Sequence, residues 1–258
     1  MKEKISFQNK KHLTLRGFVY NPLFGTGDTA ILFLHGFPGH CSSTAQRFCR
    51  ALSFTYRTMC FDFSGTDTSD GNFSEKLMSK EVEDIKYAIN FLEKKYGFKR
   101  LFLAGISTGA IDAALYAHCD KRITGTVLLS GLADLKKGVH YDFTPAQIAQ
   151  FKKKKYIVYD HSGKWYHKKK LKKAFYDEFF TLDIAKALKK YKKPLLIIHG
   201  EKDEAVPVSN AQELFEVANQ PKKLVLIKKA DHRFTKLLAG LQVISSIRKF
   251  VKKSWIKK

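Results

Sequence analysis

The stretch that most constrains this chain is Leu101-Phe102-Leu103-Ala104-Gly105-Ile106-Ser107-Thr108-Gly109-Ala110. Apolar, strand-like residues run into Gly-Ile-Ser-Thr-Gly, and small residues follow at helical spacing, namely Ala110, Ala113, Ala114 and Ala117. The pattern predicts a strand, a tight turn carrying a serine, and a helix. Glycines on both sides of the serine let backbones approach where a Cβ would collide. A strained turn of this kind lifts the Ser107 hydroxyl clear of the sheet. The helix that starts directly behind it offers unbonded N–H groups and the positive end of its dipole to a developing negative charge. A glycine-rich strand–helix turn with an incidental serine has the same local pattern, so the rest of the chain must decide.

The flanking pattern predicts an α/β fold. Residues 5–20 alternate around Asn9-Lys10-Lys11, as in an antiparallel hairpin. Ala30-Ile31-Leu32-Phe33-Leu34-His35 reads as a strand buried on both faces, ended by Gly36-Phe37-Pro38-Gly39. A helix over 43–52, a strand over 56–63 and a polar loop over 65–73 follow. The clearest amphipathic helix spans 75–95, with Val82, Ile85, Ile89 and Leu92 on one stripe, and Gly97 ends it. After the serine turn come a strand over 123–130 and another over 194–199. A helix over 208–218, a strand over 224–227 and a closing helix over 234–252 complete the chain. Alternating strands and helices imply a mostly parallel, doubly wound sheet. Residues 131–190 break the rhythm with helical pieces at 144–154, 167–175 and 181–190 and an aromatic-rich connection. They are expected to form an inserted helical cap above the carboxyl ends of the strands. The core then comprises 1–130 and 191–258.

Composition narrows the class. A chain of 258 residues suits one large α/β domain. No apolar run approaches the roughly 18 residues that span a bilayer, and the N-terminus has no apolar signal core. Cys41, Cys49, Cys60 and Cys119 show no metal-ligand spacing. Free thiols, a cytoplasmic location and no metal or cofactor are expected. Charge is the oddity: 47 Lys and Arg against 24 Asp and Glu leave +23. Residues 131–193 hold 17 Lys and 6 acids, a local excess of 17 − 6 = +11. Such a field draws anionic partners. The excess is almost all lysine, however, which lacks the planar fork of arginine. No basic helix with interleaved aromatics appears, so no specific nucleic-acid partner is expected. Contact with a membrane surface remains open, beside plain solvation of the surface.

A serine becomes a useful nucleophile when a base takes its proton and a third group fixes the tautomer of that base. Two further loops supply these groups, each just past an expected strand. The first is Gly200-Glu201-Lys202-Asp203-Glu204-Ala205-Val206-Pro207, and the second is Ala230-Asp231-His232-Arg233-Phe234. In a parallel sheet such loops emerge at one edge, where Ser107, Asp203 and His232 converge. Glu201 and Glu204 are rival acids. Two backbone donors are needed for an oxyanion: the N–H of Thr108 and, from the loop after the first buried strand, that of Phe37, since Pro38 has none. His35, Tyr141, Trp165 and Tyr166 are candidate substrate contacts.

His-Gly-Phe-Pro-Gly-His, Gly-Ile-Ser-Thr-Gly, Gly-Glu-Lys-Asp-Glu-Ala-Val-Pro and Ala-Asp-His-Arg-Phe together resemble the serine α/β-hydrolases. Among these the chain is most similar to small bacterial cinnamoyl and feruloyl esterases and their monoacylglycerol-lipase-like relatives. The resemblance runs through residues 5–130 and 194–250. It departs at Gly65-Thr66-Asp67, where the family usually has Gly-His-Gly. Ile106 and Thr108 also stand where His and Gln flank the serine. The resemblance implies an α/β-hydrolase fold and a small-molecule ester substrate, of acyl or aryl type, cleaved through an acyl-serine. A thioesterase or lysophospholipase-type acyl hydrolase, or a binding protein on the same fold, are the alternatives.

Overall fold

The computed structural model describes residues 1–253, so the last five of the expected core lie outside the described residues. The chain opens with an antiparallel hairpin, β1 (Lys2–Gln8) and β2 (Thr14–Tyr20). Strands β3 (Thr29–Leu34), β4 (Arg57–Phe61), β5 (Arg100–Ile106), β6 (Ile123–Leu129), β9 (Leu195–Gly200) and β10 (Lys222–Ile227) follow along the chain. These eight strands form one sheet in the order β1-β2-β4-β3-β5-β6-β9-β10, antiparallel at β1 and β2 and parallel elsewhere. Every residue of β3 and β9 is buried, which accounts for their unbroken apolar runs. The outermost strands β1 and β10 carry lysines, which discourage further strand pairing.

Helices cover both faces. On one side α1 (Thr44–Leu52) and α9 (Leu237–Lys253) bury Phe48, Val243 and Ile247 against β3, β5 and β9. On the other side lie α2 (Met78–Tyr96), α3 (Thr108–Tyr116) and α8 (Ser209–Val217). The chain passes from β3 to β4 on one side and then returns to β5 on the other. The strand order therefore reverses between β3 and β5, and a crevice opens beyond their carboxyl ends. The loop after β3 and the serine turn after β5 both face this crevice.

The segment between β6 and β9 differs in part from expectation. It contains α4 (Leu135–Asp142), α5 (Pro145–Lys154), a small hairpin of β7 (Tyr156–Val158) and β8 (Lys170–Lys172), α6 (Lys173–Glu178) and α7 (Ile184–Lys190). The helix expected over 167–175 is instead β8 followed by α6. Leu171 is buried between exposed Lys170 and Lys172, a period of two that pairs with Ile157 across the hairpin. Helix α7 packs on α3 and α8. It is a crossover helix of the kind that parallel strands β6 and β9 require. The insert is bound to the core through aromatic rings: Phe143 packs on Phe151, Phe175 and Phe179, and Phe175 stacks on Phe37 at 4.6 Å.

Candidate active site

Ser107 joins β5 to α3 with φ 57° and ψ −126°, a region that costs a non-glycine residue about 1–3 kcal/mol. The turn is held by close backbone contact. A Cβ on Gly105 would lie 2.0 Å from the Gly109 carbonyl oxygen, and one on Gly109 would lie 2.5 Å from that of His35. Glycine is therefore the residue that fits at both places. Thr108 begins α3, and its N–H has no partner one turn back. Neither this N–H nor that of Phe37 donates to another group among the described residues.

The second loop places the acid. The Asp203 side chain is fully buried. Its Oδ1 accepts the N–H groups of Ala205 at 3.0 Å and Val206 at 2.8 Å. The Nδ1 of His232 lies 2.9 Å from Oδ1 and 2.8 Å from Oδ2. Burial alone would raise the Asp203 pKa, but the hydrogen bonds from His199 and His232 outweigh it and hold the carboxyl well below its usual range. An ionised acceptor at Nδ1 puts the ring proton there and leaves the Nε2 lone pair free. Ser107 Oγ makes no hydrogen bond among the described residues, so the Asp203–His232 pair is closed and the Ser107–His232 pair is open. Such contacts are often long in unliganded sites. Glu204 only accepts the backbone N–H of His232, at 3.3 Å, and Glu201 is exposed.

Ser107 and His232 share a cavity of about 490 Å³ with the Gly36–His40 loop and the insert residues Gly163–Tyr166, a volume suited to a small organic substrate. Trp165 and Tyr166 are among its lining residues. The Trp165 indole N–H also donates to the Pro38 carbonyl at 3.1 Å. Phe37 is clamped between Phe73, stacked at 5.9 Å, and Phe175. Tyr141 and His35 are not brought to the cavity. Tyr141 is half-buried and packs against the core. His35 is buried one layer below, with Nδ1 3.0 Å from the Gly36 carbonyl and Nε2 accepting the Phe63 N–H at 3.4 Å. Burial lowers its pKa to about 4, so the ring is neutral, with its proton on Nδ1. It links the Gly36–Phe37 loop to the segment after β4.

Several participants escaped the sequence reading. His199 is fully buried, and its Nε2 lies 3.1 Å from Asp203 Oδ2 and 3.0 Å from the Val206 carbonyl. Both are acceptors, so Nε2 carries the proton. Its place four residues before Asp203, at the end of an apolar strand, was the available signal. Asp142 is the last residue of α4. Burial pushes its carboxyl up to about 7, and the ring of His232 offsets this only in part. Lys164 and Arg233 bring positive charge to the cavity, and His40 lies 3.3 Å from Asp67 at its mouth.

A model of the family described as serine aminopeptidase S33 (Hydrolase_4) matches residues 26–178, more than half of the chain. The uncharacterized protein YfhR of Escherichia coli K12 is 24% identical over 235 residues, covering 89% of this chain and 73% of its own length. The lysophosphatidylserine lipase ABHD12 of Danio rerio is 24% identical over 218 residues, covering 80% of this chain and 51% of its own length. Among solved structures, Est1E of Butyrivibrio proteoclasticus with bound ferulic acid superposes with a TM-score of 0.82 at 21% identity, covering 98% of this chain and all of that one. The esterase domain of a Rhodothermus marinus protein gives 0.74 at 20% identity, with 98% of each chain covered. At these identities the structures speak for the fold, which is that of the α/β-hydrolases.

Proposed function

Since this chain belongs to the serine aminopeptidase S33 family of α/β-hydrolases, we propose that it is a serine esterase that cleaves small acyl or aryl carboxylic esters through an acyl-Ser107 intermediate. The observation that carries the proposal is the Asp203–His232 pair, closed at 2.8 and 2.9 Å beside a cavity that holds the strained Ser107.

In this reading His232 Nε2 takes the Ser107 hydroxyl proton as Oγ attacks the ester carbonyl. The N–H groups of Phe37 and Thr108 receive the negative charge that develops on the carbonyl oxygen. Collapse breaks the bond to the alkoxy or aryloxy group, and the His232 proton passes to the departing oxygen. A water molecule then gives a proton to His232 and attacks the acyl carbon; the bond to Oγ breaks, His232 returns the proton to Oγ, and the acid is freed with Ser107 restored. Asp203 stays ionised throughout and stabilises the imidazolium.

The charged lining favours an ester over a peptide with a free amino terminus. An aminopeptidase must hold an α-ammonium, and the charged residues at this cavity are Lys164, Arg233 and the paired His40 and Asp67. The test is fluorophosphonate labelling together with turnover of 4-nitrophenyl acetate and an aminoacyl anilide. Wild-type protein is expected to label and to cleave the acetate faster than the anilide, and Ser107→Ala to do neither while keeping its fold. Turnover surviving in Ser107→Ala overturns the assignment. An unlabelled, inactive wild-type protein means a binding role for the fold.

A further inference from the structure

Helix α9 buries Ala239, Val243, Ile247 and Val251 against the sheet. Taking about 100° per residue from Leu237, Ala239, Val243 and Ile247 stand near 200°, 240° and 280°. Leu237, Leu241 and Leu238 stand near 0°, 40° and 100° on the same wheel, on the opposite, solvent side. They are 77%, 51% and 75% exposed respectively. Single apolar residues at a surface need no explanation, but three on one arc at the start of one helix form a patch. The patch directly follows the loop that carries His232 and Arg233, which line the cavity. Its surroundings are basic. From 228 to 236 that loop carries Lys228, Lys229, Arg233 and Lys236, all exposed, against the single acid Asp231, whose carboxylate is taken up by Thr235.

From this juxtaposition we infer that the start of α9 docks on an anionic lipid surface, with Leu237, Leu238 and Leu241 entering the interface and the flanking lysines meeting lipid phosphates. Apolar residues within a basic rim are the chemistry by which a helix lies on an anionic bilayer. A second copy of the chain would bring two such rims together, and each chain carries +23. Charge therefore favours the lipid over self-association. The orientation has a consequence that rests on the esterase reading: exposed Arg233, which lines the cavity, lies near the bilayer, so esters dissolved in lipid have a short path to Ser107. The docking itself does not depend on that reading.

The experiment is co-sedimentation of the full chain with phosphatidylglycerol and with phosphatidylcholine vesicles, at low and high salt, with 4-nitrophenyl acetate turnover measured in parallel. The wild-type protein is expected to sediment with phosphatidylglycerol and to be partly released by salt, because the ionic part of the attraction is screened. Leu237→Ser/Leu238→Ser/Leu241→Ser is expected to lose at least about tenfold in partition. Lys228→Gln/Lys229→Gln/Lys236→Gln is expected to remove the preference for the anionic lipid. Both variants keep wild-type turnover of the soluble ester. Wild-type protein that does not bind phosphatidylglycerol, or a triple serine variant that binds as well as wild type, overturns the inference. So does a wild-type dimer that the triple serine variant converts to monomer, which makes a second copy the occupant. Vesicle binding without turnover leaves the docking intact and removes the esterase.

Discussion

Asp203→Asn tests the proposed mechanism at its most constrained atom. The amide has one oxygen and one NH2 group to place. The Oδ1 position receives the N–H groups of Ala205 and Val206 at 3.0 and 2.8 Å, so it must hold the oxygen. The NH2 group then falls at the Oδ2 position, 2.8 Å from His232 Nδ1 and 3.1 Å from His199 Nε2. The NH2 donor at 2.8 Å competes with the remaining Oδ1 oxygen, 2.9 Å from Nδ1, so the tautomer with its proton on Nδ1 loses its stabilisation and the ring proton shifts toward Nε2. The base is then in the wrong tautomer to accept the Ser107 proton, and the positive charge it would acquire loses its counter-ion. A loss of this kind lowers kcat about 10⁴-fold, close to 5.4 kcal/mol of transition-state stabilisation at about 1.36 kcal/mol per decade. The assay is kcat for 4-nitrophenyl acetate, with circular dichroism to establish that the variant is folded. Glu204→Gln is the control: its carboxylate touches only a backbone N–H at 3.3 Å, and a change within a few-fold is expected. An Asp203→Asn enzyme within tenfold of wild type, beside a crippled Glu204→Gln enzyme, would refute the reasoning and move the acid by one residue.

His199→Phe removes one of the donors that hold the Asp203 carboxylate, so kcat is expected to fall about tenfold, in line with a lost hydrogen bond to a charged group of about 1.5 kcal/mol. KM should stay level, because His199 does not reach the cavity, and a change in KM alone would contradict the assignment. Asp112 on α3 is fully buried, and neither of its carboxylate oxygens has a hydrogen-bond partner among the described residues. Burial, and then the charge of Glu81, push its pKa well above the usual carboxylate range. The unfolded chain releases this proton near pH 4 and the folded chain keeps it to higher pH, so stability falls as pH rises above 4. Asp112→Asn is therefore expected to raise Tm at pH 8 and to change it little at pH 4, measured by differential scanning calorimetry. An equal shift at both values would remove titration as the cause.

The parts of this molecule that were legible in the sequence are those set by short-range constraint. Gly105 and Gly109 flag the serine turn because the contacts that exclude a Cβ are made within the turn and to the neighbouring strand β3. Strands β3 and β9 are legible because burial on both faces leaves no polar position to blur the run. The loops of Asp203 and His232 follow from their place after such strands. What stayed hidden depends on contacts that a residue's own place in the pattern does not reveal. His35 ends an apolar strand next to the Gly36–Phe37 loop, and only its contact with the Phe63 N–H shows that it faces inward. His199 looks like the last residue of a strand until Asp203 and the Val206 carbonyl are seen around its Nε2. The β7–β8 hairpin is three residues a side within a lysine-rich stretch, too short for its period of two to stand out.

The insert and the proposed oxyanion hole form one packed unit, which bears on how the chemistry would be controlled. Phe37 supplies a proposed backbone donor, and its ring is stacked on Phe175 of the insert and on Phe73. The neighbouring Pro38 carbonyl accepts the indole N–H of Trp165, again from the insert. From below, the neutral His35 holds Gly36 through its carbonyl. The loop is thus gripped from the core by a histidine and from the insert by aromatic rings. Moving the insert away would remove the upper grip from Phe37, the proposed oxyanion donor. An oxyanion donor displaced by even part of an ångström loses much of its effect, because its value lies in being positioned before the charge appears. In the proposed mechanism, Trp165 bound to Pro38 helps to hold Phe37 ready as a backbone donor.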